Sequence, residues 1–507
     1  MAGFDVLVIG AGSAGSVVAA RLSEDASLSV GLVEAGAMPS DPDIASPRQW
    51  PFLPGRAFDW AYRTIPQLGT AGRSHDWPRG RIVGGSSCLH AMAHVRGHPD
   101  DFEPWAAAGG PGWSYQALLP AFRRSERSSG GASAMHGDAG PLDVLLPSDE
   151  IHPLVRDYMD AGVSLGAPRL GDHNAGPLAG AAPNQLTIRD GRRVSVADAY
   201  LVPVLGRPNL TLLTDVLVHD LVIQAGRACG ARITRGGVEQ TLTADRIVLC
   251  AGTIASPLLL MRSGIGDPDT LRAAGIACRH ELPEVGRNLH DHLLAAGNVY
   301  RARRPVAPSR LQHSESLMYL HSDDPSRAEG SPDVVLACVV LPVVTEAFAR
   351  PKAGSAYTIM CGVTHPTSRG SLRPGGPSMA DVPVIDPAYL STDRDRRGFR
   401  ASLRLARAVG RAAPLCDWSD GEILPGPGVE ADGDLDAFLA RAAMTHHHPV
   451  GTCSLGPVVD GDLRVRGIDG LFVVDASVIP SITAGPVNAA VVAIAETWSG
   501  ATDQPGQ

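Results

Sequence analysis

The chain opens on Val6-Leu-Val-Ile9, four apolar and mostly β-branched residues that read as a buried strand. Gly10-Ala-Gly-Ser-Ala-Gly15 follows, and Ser16–Leu22 then carries apolar residues at helical spacing. A second apolar run, Leu28–Glu34, predicts a neighbouring strand that ends in an acid. Strand–helix alternation stops there. Residues 44–76 are irregular, hold Trp50 and Trp60, and read as a covering segment over the layered core. Helical spacing returns at Tyr115–Arg124 and Pro153–Leu165. Short strands are predicted at Asn209–Thr214, Val216–Ile223 and Gly230–Thr234, and the buried run Asp245–Gly252 leads into a helix over Thr253–Met261. Between about residues 300 and 440, strand-like runs (Asp333–Leu341, Tyr357–Val363) lie among long loops, with helices at Arg396–Gly410 and Asp434–Ala443. Leu471–Asp475 is a last strand ending in an acid, and Pro486–Trp498 a closing helix.

This order predicts an α/β fold, α+β overall, with a Rossmann-like dinucleotide-binding domain and a second, sheet-containing substrate-binding domain. The expected boundaries give residues 1–145, 184–297 and 440–507 to the first domain, and 146–183 and 298–439 to the second.

Composition narrows the picture. With 507 residues, 44% apolar and 19% charged, the chain is long enough for two domains around large cores. A formal charge of −9 with dispersed arginines argues against nucleic acid as a partner. The eight cysteines form no C-x-x-C and no metal-ligand spacing, and several sit in apolar runs, which fits a reducing compartment. The first strand begins by about residue 4 and no apolar run approaches ~18 residues, so a cytoplasmic protein without membrane insertion is expected.

The glycines carry chemistry. In G-x-G-x-x-G, Gly10 allows the tight turn, Gly12 lets the backbone approach a pyrophosphate, and Gly15 brings helix and strand close. The helix N-terminus then faces the phosphates, and Ser13 and Ala14, just before it, are further candidates for cofactor contact. Glu34, 19 residues after Gly15, is placed to accept ribose hydroxyls. Alone, this fingerprint fits NAD as well as FAD. Gly84-Gly-Ser-Ser87 at the head of a helical pattern makes a second nest of N–H groups, for which a helix with a serine cap is the plain alternative.

Histidines supply the titratable chemistry. His446-His-His448 precedes Pro449, which favours an extended residue before it. In an extended run only His446 and His448 face one side, too few ligands without a nearby carboxylate or cysteine pattern, so no metal is expected. His447 reads as a core residue. His290 and His292, around Asp291, read as packing, as do His365 and Arg369. His313 and Glu315 share a face if extended and are candidates for the substrate entrance.

Several stretches resemble the glucose–methanol–choline family of flavin-dependent alcohol oxidases and dehydrogenases. They are Gly84–Gly97, Ala251–Gly266, Val285–His292, His448–Cys453 and Val473–Pro480, in the family's order and together with the N-terminal fingerprint. The resemblance covers nearly the whole chain. It implies FAD, with Gly10, Gly12, Gly15, Glu34 and Val218 at the ADP half. Arg81, Gly85, Ser86, Ser87, His90 and Ala91 would lie along the pyrophosphate and isoalloxazine, and Ala251, Gly252, Asp475, Ala476, Pro486 and Val487 would complete the cofactor site. It also implies His448 as the base that takes the alcohol proton and Asn488 as a partner orienting the alkoxide, with His446, Pro486 and His313 toward the substrate. An unperturbed imidazole pKa near ~6.5 suits that base.

One position departs from the pattern: His90 stands where the family usually has asparagine. Leu89 occupies the place of the histidine that links FAD covalently in some relatives, so noncovalent FAD is expected. A narrower resemblance within the family lies in Leu311–Ser316, Gly362–Gly370, Thr445–Pro449 and Ser481–Asn488, and implies an oxidase of a small primary alcohol with oxygen as acceptor. The alternatives are a choline-like or aromatic-alcohol dehydrogenase with another acceptor, an NAD-dependent dehydrogenase, and a catalytically silent flavoprotein.

Overall fold

The computed structural model describes residues 3–501. Its first sheet has seven strands. Leu210–Leu213, Val30–Val33, Phe4–Ile9, the end of Val238–Leu249, and Leu471–Val473 run parallel in that order. Ile9 lies opposite both Val33 and Leu249, so the three strand ends are level and the turns that follow them open on one edge. The strands are almost wholly apolar because both faces are covered, as a parallel sheet requires. Val238–Leu249 is longer than the predicted strand. Its first half turns outward into an antiparallel meander with Arg227–Arg235 and Val216–Gln224.

Helices Ser13–Leu22 and Gly252–Arg262 pack on this sheet, and Asn488–Ala501 packs on Ser13–Leu22; the first two begin at the sheet's open edge. The first starts three residues earlier than its apolar spacing indicated, directly after Gly12. The segment at Gly84 does not become a long helix: it makes one 3-10 turn, Gly85–Cys88, and then runs on irregularly.

The second sheet has eight strands. Its main path is Ser419–Leu424, Val299–Ala302, Ala356–Val363, Val334–Val339, Ser316–Leu320 and Gly180–Pro183, all antiparallel. Helices Asp393–Arg411 and Pro153–Ser164 back it. Leu293–Ala295 pairs with both Ala356–Val363 and Ala443–Thr445. These two short strands belong to this sheet, although their sequence positions were grouped with the nucleotide-binding part. They carry the chain out of the second sheet at His292 and His446, and an isolated bridge between His290 and Val450 keeps the two exits side by side.

No helix among the described residues is long and apolar enough to cross a membrane. All eight cysteines are free, and Cys88, Cys250, Cys338, Cys361 and Cys453 are buried.

Candidate active site

One long cavity runs from the open edge of the parallel sheet to the face of the second sheet. At its nucleotide end, Gly10 has φ +100°, and a Cβ there would lie 2.6 Å from the Cys250 carbonyl oxygen. A Cβ on Gly15 would come within 1.8 Å of the Gly10 carbonyl oxygen, so this helix and strand approach as closely as the fingerprint demands. Glu34 sits at the end of its strand, with Oε2 accepting the Ala11 N–H and Oε1 the Gly36 N–H, both at 2.9 Å. Burial pushes its carboxyl up to about 7 against those two bonds.

The second glycine turn is pinned to the first by the Gly84 N–H donating to the Ala11 carbonyl at 2.7 Å. Gly85 approaches Gly12 so closely that an added Cβ would stand 2.7 Å from the Gly12 Cα. Asp475 spends both carboxylate oxygens inside the protein: Oδ2 accepts Gly252 N–H (2.8 Å) and Ser256 Oγ–H (2.6 Å), and Oδ1 accepts Ser477 N–H (2.8 Å) and Ser477 Oγ–H (2.6 Å). Asn488 opens the last helix, and its Oδ1 accepts the Ser13 Oγ–H at 2.7 Å. Its carbonyl oxygen is therefore tied to the glycine turn, while Asn488 lines the cavity and its Nδ2–H remains available as a donor.

Three helix N-termini, two glycine turns and the Glu34 carboxylate along one cavity fit the pyrophosphate and ribose of a dinucleotide. Val218, Ala251, Gly252, Ala476, Pro486 and Val487 line the same space.

At the other end, His446 and His448 face the cavity with ring centroids 4.4 Å apart. The backbone between them is not simply extended, because His447 has φ +67°. His447 also lines the cavity, and its carbonyl oxygen accepts a bond from Arg79 Nη2 at 2.8 Å. The loop is held by Asp291, a buried carboxylate. It accepts the His448 N–H (2.7 Å), the Thr445 Oγ–H (2.6 Å) and the Tyr389 hydroxyl.

His292 does more than the packing expected of it. Its Nε2 is 2.8 Å from the Thr364 carbonyl oxygen, which can only accept, so Nε2 carries the proton. A neutral His292 then offers a lone pair at Nδ1, 3.0 Å from His448 Nδ1. His448 must donate there, which leaves its Nε2 unprotonated. Burial, reinforced by the neighbouring histidines, holds His448 well below the usual imidazole range and lowers His292 to about 3, so both rings are neutral near pH 7. His292, His446 and His448 also form a cluster with one nitrogen each within 4.8 Å of the others; the alternation of the run had indicated only two. The third comes from a distant strand end. His290 keeps a packing role, with Nδ1–H toward the Asn288 carbonyl (2.6 Å) and Nε2 accepting the Ile482 N–H (3.1 Å).

Four predicted site residues lie off the cavity lining. Gly15 acts through helix–strand packing alone. Ser87 is buried, its Oγ donating to the Gly84 carbonyl (2.6 Å) and accepting the Val196 N–H (3.0 Å). Arg81 is exposed, its guanidinium 5.6 Å from the Trp60 ring centroid. His313 turns away from the expected entrance, with Nε2 bonded to the Arg48 carbonyl oxygen at 3.1 Å. Its neighbour Glu315 is fully buried on Ser309 and the His152 N–H. No motif or spacing marked several wall residues: Arg79, Asn184, Leu294, Val339, Met360 and Met444. Only Trp50 and Trp60 were visible beforehand, as members of a covering segment; both line the cavity, and Trp50 Nε1–H bonds the Gln312 carbonyl at 2.6 Å. On the substrate side the lining is apolar with uncharged polar groups and one cation, Arg79, and the acids of the cavity, Glu34 and Asp475, belong to the nucleotide end.

The GMC oxidoreductase N-terminal profile matches residues 4–294 and the C-terminal profile residues 366–495. The chain is 51% identical to pyridoxine 4-oxidase of Microbacterium luteolum, over 98% of this chain and 99% of that one. Mitochondrial choline dehydrogenase of Mus musculus is 36% identical, over 97% and 88%. Among solved structures, pyridoxine 4-oxidase from Mesorbium loti superposes with a TM-score of 0.98 at 51% identity, covering 99% of this chain and 100% of that one. Formate oxidase of Aspergillus oryzae, studied for its FAD modification, gives 0.91 at 26% identity, covering 98% and 97%.

Proposed function

The chain belongs to the GMC oxidoreductase family, and from that premise we propose that it oxidises pyridoxine, or a closely similar ring-borne primary alcohol, to the aldehyde. Molecular oxygen is the acceptor and leaves as hydrogen peroxide. The cofactor is FAD, held noncovalently: the position that carries a linking histidine in some relatives is the unreactive Leu89. FAD, when bound, accepts the hydride from the alcohol carbon.

The observation that carries this reading is the free lone pair on His448 Nε2 at the cavity wall. That nitrogen removes the hydroxyl proton. As His448 becomes an imidazolium, its Nδ1–H bond to His292 turns charge-assisted and strengthens, while Thr364 keeps His292 from turning over. His446 is the second polar group beside the base and takes the orienting role. Asn488 secures the glycine turn to the last helix through Oδ1, and its Nδ2–H is the further donor that orients the alkoxide. Trp50, Trp60 and Tyr62 add aromatic surface to the cavity wall.

The lining also bears on the substrate. A trimethylammonium alcohol is held best where aromatic faces, here Trp50, Trp60 and Tyr62, are joined by an anion. Glu315, the acid expected near the substrate entrance, lies outside the cavity and is already bonded. A neutral ring with polar substituents suits the mixture of apolar walls and uncharged polar groups (Asn184, Gln312, Ser314).

Anaerobic mixing with pyridoxine tests the proposal. The oxidised-flavin absorbance bleaches, and on admitting air it recovers with one hydrogen peroxide and one pyridoxal per turnover. Recovery only with an artificial acceptor makes the protein a dehydrogenase. No bleaching of a yellow protein removes pyridoxine as substrate.

A further inference from the structure

His90 closes the second glycine turn, and its ring is fixed by two donors. Nδ1 lies 3.1 Å from the Met92 N–H and 3.1 Å from Arg193 Nη1. Neither donor can accept, so Nδ1 is the unprotonated nitrogen. Arg193 is itself buried and cannot swing away: it bonds the carbonyl oxygens of Ile44 (2.8 Å), Ser87 (3.2 Å) and His90. Burial and the Arg193 charge together lower the imidazole to about 3. The ring is thus neutral at working pH, and its single N–H sits on Nε2. Among the described residues the hydrogen bonds of the His90 ring are both made at Nδ1, and His90 lines the cavity together with Ser86, Leu89 and Ala91.

We propose that His90 is a cofactor-contact residue whose Nε2–H donates a hydrogen bond to a polar atom of the bound flavin, with Arg193 as the positioning residue that sets its tautomer. The inference rests on the reading that this cavity holds FAD. It gives the histidine at this position a function that a leucine cannot supply and an amide N–H can.

The experiment uses purified wild-type, His90→Leu and His90→Gln proteins loaded with FAD. FAD affinity, the visible flavin spectrum and the two-electron potential are measured from pH 5 to 8. Loss of one hydrogen bond predicts FAD affinity weaker by about three- to tenfold in His90→Leu, with shifted flavin bands. If the contact favours one redox state, the potential moves by about 30 mV for each tenfold difference in affinity between the states. His90→Gln restores most of the affinity and the spectrum. In the wild type these properties show no transition near pH 6.5, since the ring does not titrate there. A folded His90→Leu protein with unchanged affinity, spectrum and potential overturns the proposal. If His90→Leu does not fold, a wild-type flavin transition near pH 6.5 overturns it instead. A wild type that takes up no FAD overturns this inference and the cofactor reading together.

Discussion

Which nitrogen of His448 carries the proton is decided three residues of chemistry away, at the Thr364 carbonyl. The chain Thr364 O, His292 Nε2–H, His292 Nδ1, His448 Nδ1–H works only if both rings stay neutral and His292 keeps its orientation. His292→Leu therefore frees His448 to adopt either tautomer, and kcat is expected to fall by about 10²-fold or more with KM changed far less. His292→Asn can accept from His448 through its carbonyl and is expected to recover part of the loss. His448→Ala removes the base and costs more, about 10²–10⁴-fold in kcat. Steady-state kinetics of the three variants check the order; a His292→Leu enzyme with wild-type kcat would falsify the relay. Of these residues only His448 was legible in the sequence, because a short motif marks it. His292 read as packing because its partners lie 156 and 72 positions away, a distance that only strand pairing closes.

Between elements, the decisive join is where the strands Leu293–Ala295 and Ala443–Thr445 leave the second sheet together. Asp291 ties that exit by accepting from Tyr389, Thr445 and the His448 backbone at once. Asp291→Ala leaves three donors without their acceptor in a buried site and is expected to cost several kcal/mol, on the order of 3–6, along with most of the activity. Thermal unfolding of the holoprotein measures the first and kcat the second. At the opposite end, Gly15→Ala sets a methyl against the Gly10 carbonyl, and with no room to shift without opening the turn, the protein is expected to lose FAD. Retention of bound flavin through gel filtration checks this.

The parallel core was readable from strand–turn–helix order because each strand is buried on both faces and punctuated by glycine. The second sheet was half readable. Val334–Val339 and Ala356–Val363 stood out as apolar runs, whereas Leu293–Ala295, Ala443–Thr445 and Gly180–Pro183 are three or four residues long and exist only through their partners. The positive φ at His447 was likewise hidden, since the bonds that accompany it, Arg79 to the His447 carbonyl and Asp291 to the His448 N–H, come from distant parts of the chain.

Over the whole molecule, the histidines divide into two sets with opposite effects on stability. His290 and His292 are sealed in the interior, at 1% and 2% exposure, and burial lowers both to about 3. In the unfolded chain they titrate near ~6.5, so between about pH 6.5 and 3 the unfolded state binds more protons and stability falls as pH falls. The cavity-facing His90, His446 and His447, also lowered to about 3, act in the same direction but more weakly where solvent or ligand reaches them. His136 opposes them. Its Nδ1 is 2.8 Å from Glu126 and its Nε2 2.7 Å from Asp172, and these carboxylates raise it to about 9. A raised imidazole contributes fully below ~6.5 and loses its contribution as pH climbs from there through 9. Stability of the holoprotein should therefore peak near neutrality. The acid limb is steep, because several imidazoles protonate together on unfolding, and the alkaline limb is shallow, because it comes mainly from one. His136→Gln is expected to lower the melting temperature by a few °C at pH 6.5 and to flatten the decline toward pH 9, leaving the acid limb unchanged. Calorimetric scans of both proteins from pH 5 to 9.5 decide it. An alkaline limb that stays the same in the variant would mean that the Glu126–His136–Asp172 pairing is not what links stability to pH there.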